Sequence, residues 1–220
     1  MTTTYVLIHG GGDAASSWDL VAKDLRDRGS DVVAVDLPIE DLSAGWSAYA
    51  DAVVEATGER SDVVVVAHSL GGFTAPLVCT RMPVGLLVLV AAMAPVPGER
   101  AIDYWANAGY EEGSDGDEVD VFFHDVPPEL AAQAMRAGRD QADTPMYEPW
   151  PLDAWPPVAT RYLLCRDDRM FPAAVTRRVV RERLGIEPDE IDGGHCPFLS
   201  RPRDLASRLT AYRAELPLQG

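Results

Sequence analysis

The most constraining feature of this 220-residue chain is the run Val63-Val64-Val65-Val66-Ala67, which is apolar at every position. A strand with one wet face alternates apolar and polar residues, so an unbroken apolar run asks to be covered on both sides. Strands of that kind belong to parallel sheets sandwiched between helices. The rest of the chain repeats the theme: Tyr5–Ile8, Val32–Val35, Leu86–Val90, Thr160–Cys165 and a short Glu190-Ile191 read as further strands. Helical spacing fills the intervals at Ser17–Arg28, Ser43–Ala56, Leu70–Arg81, Ala173–Leu184 and about Arg203–Glu215. The expected architecture is α/β: a mainly parallel six-stranded sheet, helices on both faces, right-handed crossovers.

The alternation lapses between about residues 96 and 157, a stretch rich in Pro and acidic residues with no Lys or Arg from Ala101 to Met135. A structureless loop of that length is rare inside a compact domain. Tyr104, Trp105, Phe122, Phe123, Tyr147, Trp150 and Trp155 give it apolar surface to pack. The expectation is one domain over residues 1–220, interrupted by a small, partly helical lid.

A formal net charge of −16 argues against nucleic acid or an anionic membrane surface as partner, since both call for Lys and Arg. No apolar run approaches the roughly 18–20 residues needed to span a bilayer. Met1-Thr2-Thr3-Thr4 has no basic leader pattern, and the three cysteines, Cys79, Cys165 and Cys196, are widely spaced. The chain therefore reads as cytoplasmic, with free thiols and a small-molecule substrate as partner.

The valine run ends in Ala67-His68-Ser69-Leu70-Gly71-Gly72, between a strand and a helix. That is the place for a nucleophile elbow, whose sharp turn lifts a hydroxyl above the sheet and tolerates only small neighbours. Ala67 stands where the usual pattern has its first Gly. The alternative role for Ser69 is a helix N-cap. His68 should point across the turn and is assigned a structural role. A base is expected at His195, in Gly193-Gly194-His195-Cys196-Pro197, after the last strand. Its orienting carboxylate should follow the fifth strand, where Asp167 and Asp168 stand together; Asp168 is preferred, with Asp167 in reserve and either free to be a surface partner of a nearby Arg. The order Ser69, Asp168, His195 is the order in which this type of sheet supplies such groups.

After the first strand comes His9-Gly10-Gly11-Gly12. Its backbone can approach a substrate, and the N–H groups of Gly11 and Leu70 are assigned as the two donors of an oxyanion hole. The same glycines, with Ala15 and with Asp36 about twenty residues on, also fit a dinucleotide-binding fingerprint. An NAD(P)-binding protein would leave the Ser, Asp and His segments idle, and the only lysine, Lys23, does not complete a Tyr-x-x-x-Lys pair. No His or Cys spacing suits a metal site.

Tyr5–Gly12, Ala67–Gly72, Leu163–Pro172 and Gly193–Pro202 together resemble the compact α/β hydrolases related to plant methylesterases and hydroxynitrile lyases. The resemblance implies a six-stranded parallel core, a small lid, no cofactor, and cleavage of small esters or related acyl compounds. The lyase branch carries Thr after the first-loop His and Lys after the catalytic His; here those positions are Gly10 and Cys196, which favours hydrolysis. The expected activity is that of a carboxylesterase working through an acyl-enzyme, with Trp150 and Trp155 walling the substrate pocket. The alternatives are a cofactor-independent lyase or perhydrolase on the same residues, or a non-catalytic small-molecule-binding protein of this fold.

Overall fold

Six strands form one all-parallel sheet in the computed structural model, which describes residues 2–110 and 117–216. Met1 of the N-terminal reading and residues 111–116 of the expected lid lie outside the described residues. Strand β1 (Thr4–Ile8) leads through a 3-10 turn at Ala15–Trp18 into α1 (Asp19–Asp27) and β2 (Asp31–Val35). Then come α2 (Trp46–Thr57), β3 (Val63–His68), α3 (Gly71–Arg81) and β4 (Leu86–Val90). The stretch before β5 carries the short helices α4 (Tyr104–Ala108), α5 (Glu118–Phe122), α6 (Pro128–Ala137) and α7 (Thr144–Tyr147). The chain continues through β5 (Thr160–Cys165), α8 (Ala173–Leu184), β6 (Asp189–Ile191), α9 (Pro197–Ser200) and α10 (Pro202–Ala214).

Three helices start later than their periodicity suggests, α3 by the one residue, Leu70, that is its N-cap. The first opens as the 3-10 turn, and α2 begins at Trp46 because the N–H and hydroxyl of Ser43 are taken by the Asp41 side chain. A local side-chain bond of that kind competes with helix initiation.

The strand order is β2-β1-β3-β4-β5-β6. The chain steps from β1 to one side and then returns to build outward on the other, so the direction reverses between β1 and β3. The loops leaving those two strands diverge to opposite faces and open a crevice at the carboxyl edge of the sheet. Ile8 pairs with Ala67, which sets the His9 loop level with Ser69.

Neighbouring residues of each strand serve opposite cores, as a period of two requires. Val6, Ile8, Val65, Ala67, Leu87 and Leu89 pack on the face covered by α2, α3 and α8. Tyr5, Leu7, Val64, Val66, Leu86 and Val88 pack on the face covered by α1 and α10. This double coverage is the physical reason for the unbroken valine run. The stretch after β4 is tied down by Glu99, whose buried carboxylate meets Arg183 of α8 at 2.6 and 3.1 Å and also accepts from Asn107. The same guanidinium lies 4.9 Å from the centre of the Tyr104 ring.

Candidate active site

Ser69 occupies the left-handed backbone region, at φ +49°. The following glycines are dictated by space. A Cβ on Gly71 would come within 2.8 Å of the His9 carbonyl oxygen, and one on Gly72 would overlap the Met93 carbonyl. The Ser69 carbonyl accepts from the N–H groups of Gly72 and Met93, at 3.1 and 2.9 Å, which pins the turn from below. Helix α3 has Leu70 as its N-cap and no side-chain capping bond, so Ser69 is not a cap.

His195 is 2% exposed and sits four residues past β6. Its Nδ1–H donates to Asp168 Oδ2 at 2.8 Å. The other oxygen of Asp168 accepts from the backbone N–H groups of Met170 and Phe171, at 2.8 and 2.9 Å. A carboxylate can only accept, so Nδ1 carries a proton in this bond, and in the neutral imidazole Nε2 is the nitrogen that holds the lone pair. Asp167 faces elsewhere: its Oδ2 accepts from the Gly193 N–H at 3.3 Å, and its carbonyl accepts from His124 Nε2 at 3.0 Å. Asp192 is spent on Arg166.

The neighbouring histidines are braces. His68 is buried at the cavity wall and donates from Nε2 to the His195 carbonyl at 2.8 Å, with the two rings 4.6 Å apart. Burial, then the nearby His195, hold the His68 pKa well below its ordinary value. His9 donates from Nδ1 to the Gly10 carbonyl at 2.7 Å and accepts the Leu37 N–H on Nε2 at 3.1 Å. Burial likewise lowers its pKa. A trans peptide directs its C=O and N–H oppositely. By holding the Gly10 carbonyl, His9 therefore turns the Gly11 N–H the other way. Among the described residues, neither the Gly11 nor the Leu70 N–H donates to any protein group. Leu70 also opens α3, where the helix dipole favours negative charge.

Ser69, His195, Gly10 and Gly11 line one cavity of about 130 Å³. Its outer wall comes from the stretch after β4: Glu118, Phe122 and Phe123 from α5 and its end, with Ala134 and Met135 from α6. The Phe122 ring lies 5.5 Å from that of His195. Trp150 and Trp155 do not line this cavity, contrary to expectation. Trp150 is 1% exposed, with its indole N–H on the Phe73 carbonyl, and Trp155 donates to the Pro95 carbonyl. Each indole needs both an acceptor and apolar cover, and the underside of α3 with the start of the insertion supplies them. Asp36 accepts the Ala15 N–H and faces Arg139 at 3.5 Å. The glycine loop leads into the 3-10 turn rather than directly into an α-helix, which removes the geometry of a dinucleotide fingerprint.

One contact had no sequence signal. Asp125, just past α5, accepts the Gly194 N–H at 2.9 Å. A Cβ on Gly194 would come within 2.6 Å of His124 Nε2 and 2.7 Å of Asp125 Oδ1. The segment between β4 and β5 thus clasps the loop that carries His195.

A family model described as the alpha/beta hydrolase family matches residues 5–208. Among curated proteins, norfluorocurarine synthase 1 from a Strychnos species is 22% identical over 246 residues, covering 91% of either chain. Methyl jasmonate esterase 1 of Vitis vinifera is 24% identical over 254 residues, covering 93% of this chain and 94% of that one. Among solved structures, polyneuridine aldehyde esterase superposes with a TM-score of 0.82 at 20% identity, over 96% of this chain and 99% of the other. At that identity the superposition speaks for the fold.

Proposed function

The chain belongs to the alpha/beta hydrolase family, and from that premise we propose that it is a serine esterase cleaving small carboxylic esters through an acyl-enzyme. The observation that carries the reading is the 2.8 Å bond from His195 Nδ1 to Asp168, which in the neutral imidazole puts the lone pair on Nε2, in a residue that lines the cavity with Ser69. Relatives named as esterases, with near-complete mutual coverage, support ester bonds as the target.

In this reading Ser69 Oγ attacks the ester carbonyl carbon while its proton moves to His195 Nε2. The carbonyl oxygen becomes an oxyanion held by the N–H groups of Gly11 and Leu70. The C–O bond to the alcohol then breaks, and the alcohol oxygen leaves with the proton from His195. Water enters, gives its proton to His195, attacks the acyl carbon, and expels Ser69, which recovers its proton. Asp168 stays ionised, fixing the tautomer and stabilising the transient imidazolium. The insertion acts as a lid that keeps bulk water from the cavity. Among the described residues no helix is long and apolar enough to cross a membrane; the reading places the enzyme in the cytoplasm, acting on a diffusible substrate.

The test is hydrolysis of short p-nitrophenyl esters with rapid mixing. The expected result is a burst of p-nitrophenol in proportion to enzyme, lost in Ser69→Ala. Undiminished turnover in Ser69→Ala would refute the assignment.

A further inference from the structure

The cavity around Ser69 has a one-sided charge. Asp13 and Glu118 line it, and among the described residues no Lys or Arg does. Asp13 follows directly on the glycine loop. Its Oδ1 is fixed by the Ala14 N–H at 2.8 Å and by the Ser17 hydroxyl. Among the described residues its Oδ2 accepts nothing, and neither Asp13 nor Glu118 forms an ion pair. Arg139, which follows the cavity-lining Gly138, is turned away to Asp36, Glu40 and the Leu37 carbonyl. The Asp13 charge reaches into the wall: the Cys196 thiol is pushed up first by burial and next by Asp13, ahead of Asp168.

The apolar wall has a matching character. Glu118 and Phe122 lie one turn apart on α5, and both reach the same cavity. Phe123 stands beside them, its ring 6.3 Å from that of Phe122. Aromatic rings and carboxylates without an ion-pair partner together are the chemistry that holds an ammonium group. Of the two phenylalanine rings next to His195, Phe122 at 5.5 Å and Phe171 at 5.2 Å, Phe122 is the one that lines the cavity. His195 gives its proton to the departing alcohol, so the alcohol portion of a bound ester runs toward Phe122 and Glu118.

We propose that the cavity selects esters whose alcohol portion carries a quaternary or protonated ammonium group, bound between the carboxylates of Asp13 and Glu118 and the rings of Phe122 and Phe123. The proposal rests on the esterase reading of Ser69. The same carboxylates repel esters that carry a free carboxylate. The net charge of −16 adds a long-range attraction for cations.

A matched pair of organophosphonates tests it, one with a 2-(trimethylammonio)ethylthio leaving group and one with its uncharged isostere, 3,3-dimethylbutylthio. In each case a bond forms from Ser69 Oγ to phosphorus, the P–S bond breaks, and the thiol leaves with the electron pair and the proton relayed by His195. Rates of Ser69 modification are divided by the rates of the same compounds with hydroxide, which removes intrinsic reactivity. At low ionic strength the cationic compound is expected to react faster by about tenfold or more. That ratio should shrink with added salt and fall toward one in the double variant Asp13→Asn, Glu118→Gln. Asn at position 13 keeps an oxygen for Ala14 and Ser17. A ratio near one in the parent protein, or one that survives the double variant, overturns the ammonium site while leaving Ser69 as nucleophile. Failure of both compounds to modify Ser69 overturns the esterase reading and the ammonium site with it.

Discussion

A serine at φ +49° is strained, since a side chain in the left-handed region costs on the order of 1–3 kcal/mol. Ser69 receives no compensation as a helix cap, because α3 has no side-chain cap. The strain is better understood as the condition for presenting Oγ to the cavity that His195 also lines. This separates activity from stability at one position. Ser69→Gly should stabilise the fold by about 1 kcal/mol, once the extra freedom of glycine in the unfolded chain is included. The same change should lower esterase kcat by about 10⁴-fold or more. Urea unfolding and p-nitrophenyl ester kinetics on the one variant check both halves. A destabilised Ser69→Gly would show that the turn is not under strain.

Elements rather than single residues hold His195 in place. Its loop is gripped from the sheet by His68 and from the segment between β4 and β5 by Asp125. Asp125→Ala removes the acceptor for the Gly194 N–H and leaves the His195–Asp168 pair itself intact. The expected effect is a loss in kcat of about tenfold, the scale of one charge-assisted hydrogen bond, with KM changed much less and partial recovery in Asp125→Asn. An effect confined to KM would mean that the contact shapes the cavity without positioning the base. His68 makes its bond buried and uncharged, with a pKa well below the ordinary histidine value. Above about pH 6.5 neither the folded nor the unfolded chain protonates it. Below that, the unfolded chain takes up the proton and the folded one resists, so stability falls with falling pH by about 1.4 kcal/mol per unit. Urea unfolding at pH 7 and pH 5 should show this slope reduced by that amount in His68→Gln, which keeps a donor for the His195 carbonyl. An identical slope in the variant would show that His68 titrates normally in the fold.

At the scale of the whole molecule, the sheet was legible because its strands are buried on both faces, and that burial writes unbroken apolar runs such as Val63–Ala67 into the chain. The serine, aspartate and histidine segments were legible because each stands at a strand end, where the parallel topology gathers loops at one edge. Trp150 and Trp155 were misplaced because an indole that walls a pocket and an indole that anchors an insertion look alike in sequence; what separates them is which carbonyl, of Phe73 or of Pro95, the N–H can reach. The Asp125 clasp was invisible for a related reason. Its partner is a backbone N–H distant along the chain, and a backbone group carries no residue signature. The gathering of Ser69, His195 and Asp168 at one edge is the central claim, and reaction with a fluorophosphonate followed by peptide mapping tests it most directly. A single adduct is expected, on Ser69, forming far more slowly in His195→Ala; an adduct on a different residue, or one whose rate ignores the loss of His195, would show that these three groups do not act together.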